Sequence, residues 1–219
     1  MQITHFGHSC VLVELEGTRI LFDPGNFSHG FEGLTGLDAV LITHQHPDHC
    51  DVARLPNLIG ENPQAIRIAD PQTAAQLNSD DVAGEWTAAL AGGQVDVGSV
   101  TARFTGGRHA VIHPEIPVVD NVAYVLGTAT APGRFMHPGD SFYIPFEQVD
   151  VLALPSAAPW MKLSESVDYL RAMAPRVAVP IHQAILSDAG TGIHYGRLAD
   201  MKDPGTEFVV LDGESATEV

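Results

Sequence analysis

Thr43-His44-Gln45-His46-Pro47-Asp48-His49 sets three imidazoles and a carboxylate within six consecutive positions, directly after the apolar, β-branched run Ala39-Val40-Leu41-Ile42. A short run of that kind reads as a buried strand, and Pro47 stops it from continuing. The four donor side chains therefore fall on a loop at a strand end, where a rigid sheet can hold a site. In extended chain His44 and His46 point the same way and can share one cation, while Asp48 and His49, beyond the proline turn, can reach a second. Neutral imidazole suits zinc, iron or manganese, and the carboxylate keeps the donor set hard enough for catalysis. The alternative is a solvated His-rich loop, and what separates the two is whether further donors lie downstream.

Further donors are there, in order: His109 after Gly106-Gly107-Arg108, Asp140 in His137-Pro138-Gly139-Asp140-Ser141, and His182 in Val179-Pro180-Ile181-His182. Each follows a β-rich run and sits beside Gly or Pro, so each is again a loop at a strand end. Upstream, Ile20-Leu21-Phe22-Asp23-Pro24-Gly25 repeats the arrangement. The whole pattern, H-x-H-x-D-H with a later His, Asp and His, resembles the metallo-β-lactamase superfamily over nearly the full chain. By that resemblance His44, His46 and His109 hold metal one, Asp48, His49 and His182 hold metal two, Asp140 bridges them, and Asp23 supports the ligand loop. With Gly7-His8-Ser9, the closest likeness is to the compact lactonase-like branch that includes L-ascorbate-6-phosphate lactonase. The resemblance implies an α/β fold, the four-layer αββα sandwich of the metallo-β-lactamases; periodicity alone gives only an α/β domain.

With 219 residues and 45% apolar composition, residues 1–219 can bury a core as one domain. No window approaches a membrane-spanning apolar run, and Met1-Gln2-Ile3-Thr4-His5 lacks the order of a signal peptide, so a cytoplasmic location is expected. The cysteines, Cys10 and Cys50, suggest no oxidising compartment. Cys10 reads as a core residue, and Cys50, next to His49, as either a core residue or a neighbour of the metals. The balance of 11 basic and 27 acidic side chains, formally −16, repels phosphate backbones and anionic lipid. The absence of a Lys/Arg cluster adds to this, so neither a nucleic acid nor a membrane is an expected partner. A small-molecule substrate is expected, an anionic one included if the metals dominate the pocket field. Oligomeric state is not readable.

In chain order, 10–15, the turn Glu16-Gly17 and 19–22 form a hairpin. Val52 to Leu58 reads as a helix, 65–69 as a strand, and Pro71 to Leu77 as a helix with Pro in its first turn. Residues 94–104 and 121–126 alternate like antiparallel strands. A second β-α-β unit spans 149–154, a helix from Ser164 to Ala174 capped by Ser164, and 177–179. The tail 213–219 reads as frayed. His8 either faces the site or caps a strand end. His113 and His137 either donate to substrate or, the favoured reading, brace a ligand. Pro159-Trp160-Met161 walls the pocket or belongs to the core. Gly192-Ile193-His194-Tyr195-Gly196 reads as a late loop that brings His194 or Tyr195 over the metals, with His194 the candidate general acid.

Two divalent ions about 3.5–4 Å apart acidify a shared water toward neutrality. The expected activity is thus a dinuclear metal-dependent hydrolase in which a metal-bridging hydroxide attacks a small-molecule ester, lactone or amide. Asp48 is both a ligand and the group that orients the water or collects its proton. The cofactors are two divalent ions, zinc first, with manganese or iron possible. No Ser-centred or Cys/His arrangement offers an acyl-enzyme route. A phosphodiesterase of the same fold, and a metal-binding sensor or scaffold without turnover, remain as alternatives.

Overall fold

In the computed structural model, which describes residues 1–213 and 215–219, the first half of the chain builds one mixed sheet. It comprises β1 (Gln2–His5), β2 (Val11–Leu15), β3 (Thr18–Phe22), β4 (Ala39–Ile42), β5 (Ile66–Ala69) and β6 (Thr87–Ala88), with helices α1 (Leu55–Glu61) and α2 (Pro71–Ser79) in the crossovers. The second sheet holds β7 (Gln94–Val97), β8 (Val100–Gly106), β9 (Val122–Gly127), β10 (Phe135–His137), β11 (Val151–Pro155), β12 (Val177–Ile181) and β13 (Glu207–Phe208), with α3 (Leu163–Met173) and α4 (Asp188–Met201). β14 (Thr217–Glu218) returns to pair antiparallel with β1. The sheet orders are β14-β1-β2-β3-β4-β5-β6 and β13-β12-β11-β10-β9-β8-β7.

The two-residue period of the strands sorts their side chains into layers. Val11, Val13, Ile20, Phe22, Ala39 and Leu41 enter an interior shared with Tyr124, Leu126, Phe135, Val151 and Val179 of the second sheet. Their neighbours Leu12, Leu21, Val40 and Ile42 turn outward onto Leu55, Leu58, Ala74 and Leu77 of the first two helices. On the far side Leu152 and Leu154 meet Val167, Leu170 and Leu198 of α3 and α4. Each sheet is thus covered on both faces, which is why Ala39–Ile42 is apolar without alternation and wholly buried. Helix, sheet, sheet and helix stack as the expected αββα sandwich.

Some local expectations need correction. The first helix begins at Leu55, not Val52, because the Asp51 carboxylate takes the Ala53 N–H at 3.0 Å and holds a turn ahead of Pro56. Ser164 lies inside α3; the start is closed by Glu165, whose carboxylate accepts the Lys162 N–H at 2.6 Å. Residues 192–196 are the middle of α4, not a loop, despite their glycines. Thr217–Glu218 is a paired strand and not frayed, and Val219 N–H donates to Met1 O at 3.0 Å; Glu214, in the same stretch, lies outside the described residues.

Candidate metal centre

The centre sits where the ends of the two sheets meet. The loop after β4 supplies His44, His46, Asp48 and His49; the loops after β8 and β10 supply His109 and Asp140, and the end of β12 supplies His182. The sheets are tied at this edge: Tyr124 Oη donates to Ile42 O at 2.9 Å, Val122 N–H to Thr43 O at 2.9 Å, and His182 N–H to His8 O at 2.8 Å. Gly139, at φ +61°, lets the Asp140 loop pass over Thr43 and Asn121, since a Cβ there would stand 2.2 Å from Asn121 Oδ1. Asn121 uses that closeness, accepting the Asp140 N–H at 3.0 Å and donating to Pro138 O at 3.0 Å.

Two groups of ligand-type atoms converge, each within 4.8 Å of one another: His44, His46, His109 and Asp140, and His8, Asp48, His49 and His182. The hydrogen bonds fix which nitrogen of most rings carries the proton. His44 Nδ1 donates to Thr43 Oγ1 at 3.0 Å, whose hydroxyl donates to Asp23 Oδ2 at 2.7 Å. His49 Nδ1 donates to the same carboxylate oxygen at 2.6 Å. His109 and His182 donate from Nδ1 to the carbonyls of Ala110 and Ala157. In all four rings Nε2 faces inward; on His44, His109 and His182 it is left as a lone pair, and on His49 it lies 3.4 Å from Ser9 Oγ and 3.1 Å from Asp140 Oδ1, where a cation can replace a proton.

His182 Nε2 lies 3.1 Å from Asp140 Oδ1 and His109 Nε2 3.3 Å from Asp140 Oδ2, acceptor against acceptor, while His44 Nε2 lies 3.0 Å from His46 Nδ1. His109 Nε2, His182 Nε2 and Asp140 Oδ1 are buried with no hydrogen-bond partner. Buried acceptors facing one another are costly unless a cation lies between them. The local field points the same way. Burial opposes charge on His49, yet Asp140 and Asp23 outweigh it and hold its pKa well above the ordinary value, so the two carboxylates call for a positive charge at this position, the ring's second proton or a cation in its place. Burial would raise Asp140, but His182 and His49 hold it well below the carboxylate range. Burial keeps His44 and His46 low and therefore neutral, as ligands must be. The donor set, imidazoles with shared carboxylates, fits two divalent ions.

His8 stands against Asp48 as a donor. Its Nδ1 accepts the Ala184 N–H at 3.3 Å, so Nε2 carries the proton and gives it to Asp48 Oδ2 at 3.0 Å. Burial lowers the His8 pKa to about 4, so the ring stays neutral and serves Asp48 without competing for a cation. Burial would raise Asp48, but this bond and His49 hold it below the usual carboxylate range. His137 is a brace: buried, it donates to Ser9 O at 2.9 Å and accepts the Gly139 N–H at 3.1 Å. His113 is not; it is exposed and accepts the Glu115 N–H of its own turn. Cys50 belongs to the outer core of the first sheet, with burial pushing its thiol up to about 12. His194 joins neither group of converging atoms and donates to Ser156 O at 2.7 Å. Sequence reading did not anticipate the hydrogen bonds made by Asn121 and Thr43. Nor did it foresee that Trp160 Nε1 donates to Asp140 Oδ2 at 2.7 Å; its place beside the expected pocket wall was the available signal.

Residues 2–182 match the family described as the Beta-lactamase superfamily domain. The chain belongs to this family. Across its length it is 60% identical over 216 residues to Protein Rv0786c of Mycobacterium tuberculosis, covering 99% of each chain. It is 28% identical over 235 residues to a UPF0173 metal-dependent hydrolase of Carboxydothermus hydrogenoformans, covering 96% of this chain and 100% of the other. YhfI, a metallo-beta-lactamase fold protein of Bacillus subtilis, superposes with a TM-score of 0.74 at 17% identity, covering 99% of this chain and 98% of the other. The family's expected fold is therefore the observed one.

Proposed function

We propose that this member of the superfamily is a hydrolase with two divalent ions, zinc foremost, that cleaves an ester, lactone or amide of a small molecule. The observation that carries the reading is the set of buried Nε2 atoms on His44, His49, His109 and His182, each turned inward because Nδ1 is already committed to a partner behind it. The name of the Carboxydothermus relative, a metal-dependent hydrolase, supports the same class. His44, His46 and His109 would hold one ion, Asp48, His49 and His182 the other, with Asp140 shared. When bound, such a pair supplies Lewis acidity and a water acidified to near neutrality. Asp48, held by His8, is oriented to collect the proton of the attacking water. Trp160 and Asn121 fix Asp140, and Asp23 fixes His49 and, through Thr43, His44. His194, bonded to Ser156 O in the segment that also anchors His182, is assigned a supporting role. Among the described residues no helix is long and apolar enough to cross a membrane.

The test is elemental analysis of protein purified without added metal, with ester and lactone hydrolysis assayed before and after chelation. Near two ions per chain, with activity lost on chelation and restored by zinc or manganese, supports the reading. One ion or none, with no activity after reconstitution, overturns it.

A further inference from the structure

Beside Asp48 and His182 opens a cleft of about 420 Å³ whose other walls are Asn26, Phe27, Pro47, Pro159 and Ile185. That size suits a small organic ligand. No Lys or Arg lines it. Phe27 and Ile185, which both line it, are 44% and 45% exposed. The loop carrying Phe27 is not slack. Arg54 donates to the carbonyls on either side of it, Gly25 O at 2.6 Å and Ser28 O at 2.9 Å. Asn26 N–H donates to Pro47 O at 2.8 Å, and Ser28 Oγ to Gly7 O at 2.8 Å. The Phe27 ring stands edge-on to His8, centroids 5.2 Å apart. An apolar ring held rigidly at the surface beside a reactive centre is a pre-organised wall, since ordering it on binding would otherwise cost affinity.

We infer that this cleft receives an uncharged aliphatic or aromatic arm of the substrate, and that the substrate bears no phosphate or carboxylate at that end. The inference rests on the hydrolase reading above and names its substrate class. An apolar arm releases water from Phe27, Pro47, Pro159 and Ile185. The ions' charge would act on the reacting end of the substrate, whereas an anionic group at the far end of the arm would find no Lys or Arg among the described residues lining the cleft, in a chain of net charge −16. A larger cleft of about 550 Å³, lined partly by Arg134 and Arg176, lies at the opposite ends of β10 and β12. Its arginines are paired with Asp150, and it holds no converging ligand atoms.

The test uses zinc-loaded protein and isothermal titration with straight-chain alkyl hydroxamates, from acetohydroxamate to octanohydroxamate, and the same chains ending in a carboxylate. Affinity is expected to rise about two- to fourfold per methylene, as half to full burial of each group gives, and to fall about tenfold or more with the terminal carboxylate. The double variant Phe27→Ser, Ile185→Ser should lose the rise while metal content and Tm stay at the parent values, both side chains being exposed. Hydrolysis of p-nitrophenyl esters of matching length is measured alongside. A rise in hydroxamate affinity with no ester cleaved would keep the cleft assignment and remove the hydrolase. Ester cleavage with affinity flat in chain length, or with the carboxylated chains bound as well, would overturn the cleft assignment, as would no hydroxamate binding by protein that carries two ions.

Discussion

Asp23→Asn isolates the support beneath the centre from the ligands themselves. Asp23 is fully buried and touches no converging lone pair; its Oδ1 accepts the Thr43 N–H at 2.7 Å, and its Oδ2 accepts Thr43 Oγ1 at 2.7 Å and His49 Nδ1 at 2.6 Å. In the variant Oδ1 keeps the backbone bond, and an NH2 replaces Oδ2 in front of two donors. The Thr43 hydroxyl can rotate away. His49 can remove the donor-to-donor contact only by moving its proton to Nε2, the atom that faces Asp140 Oδ1 at 3.1 Å. A ligand then becomes a donor at the second ion's position. A charge-assisted bond of this kind is worth about 1.5–3 kcal/mol, and lost support for a ligand costs about 10–100-fold in metal affinity, so the two scales agree. The expected result is one ion weakened by that factor, while the ion near His46 and His109 changes less. Competitive titration with a graded chelator, with elemental counts at each step, reads this directly. Two ions held within about threefold of the parent affinities would refute the tautomer reasoning.

His8→Phe keeps the ring volume but deletes the bonds to Asp48 Oδ2 and from the Ala184 N–H; kcat should drop and affinity for one ion should weaken about tenfold, read by kinetics and chelator titration. Trp160→Phe removes the N–H that meets Asp140 Oδ2 and should weaken ion binding by about 1.5–3 kcal/mol at most, with Tm nearly unchanged because the ring still packs on Phe142 at 4.9 Å. Gly139→Ala sets a Cβ 2.2 Å from Asn121 Oδ1 at a positive φ, so about 1–3 kcal/mol of stability and part of the metal content should be lost together, read by chemical denaturation and elemental analysis. Burial pushes the Asp70 carboxyl up to about 6, against the bonds it accepts at the start of α2. The folded chain therefore binds that proton more tightly than the unfolded one, and stability falls as pH rises from about 4 to 6. Asn caps a helix equally well, so Asp70→Asn should match the parent at pH 4 and exceed it at pH 8 by about 1–3 kcal/mol in denaturant midpoints.

The residues of the candidate site were legible because the chemistry demands rare residue types in a set order. His, Asp and Gly at strand ends leave a sequence signal that a core Leu does not. The layers were legible for a related reason, since Val11 and Leu12 can both be apolar only in a sheet covered on both faces. What was not legible depends on three-dimensional proximity. α4 hides behind Gly190, Gly192 and Gly196, whose low helix propensity is overridden by the Ser187 cap, which accepts the Gly190 N–H at 3.2 Å, and by Leu198 packed under it. The α3 cap was misplaced because a Lys at the cap position, served by Glu165, carries no capping signal of its own. Asn121 sits in unremarkable sequence and Trp160 in a segment that reads only as pocket wall or core, and their bonds to Asp140 arise because the fold carries them there.

Tautomer control also distinguishes the two halves of the proposed centre. Asp48, His49 and His182 are each held from behind, by His8, Asp23 and Ala157 O respectively. His44 and His109 have the same kind of support, from Thr43 and Ala110 O. His46 differs. It is half-buried, presents Nδ1 to His44, and among the described residues makes no hydrogen bond through Nε2. Its ring stands edge-on to those of His44 and His109, centroids 4.7 Å from each, and among the described residues has no support from behind. Support from behind sets both the direction of a lone pair and the entropy lost when it is used. If an ion is bound in the first half, His46 is therefore its least pre-oriented ligand.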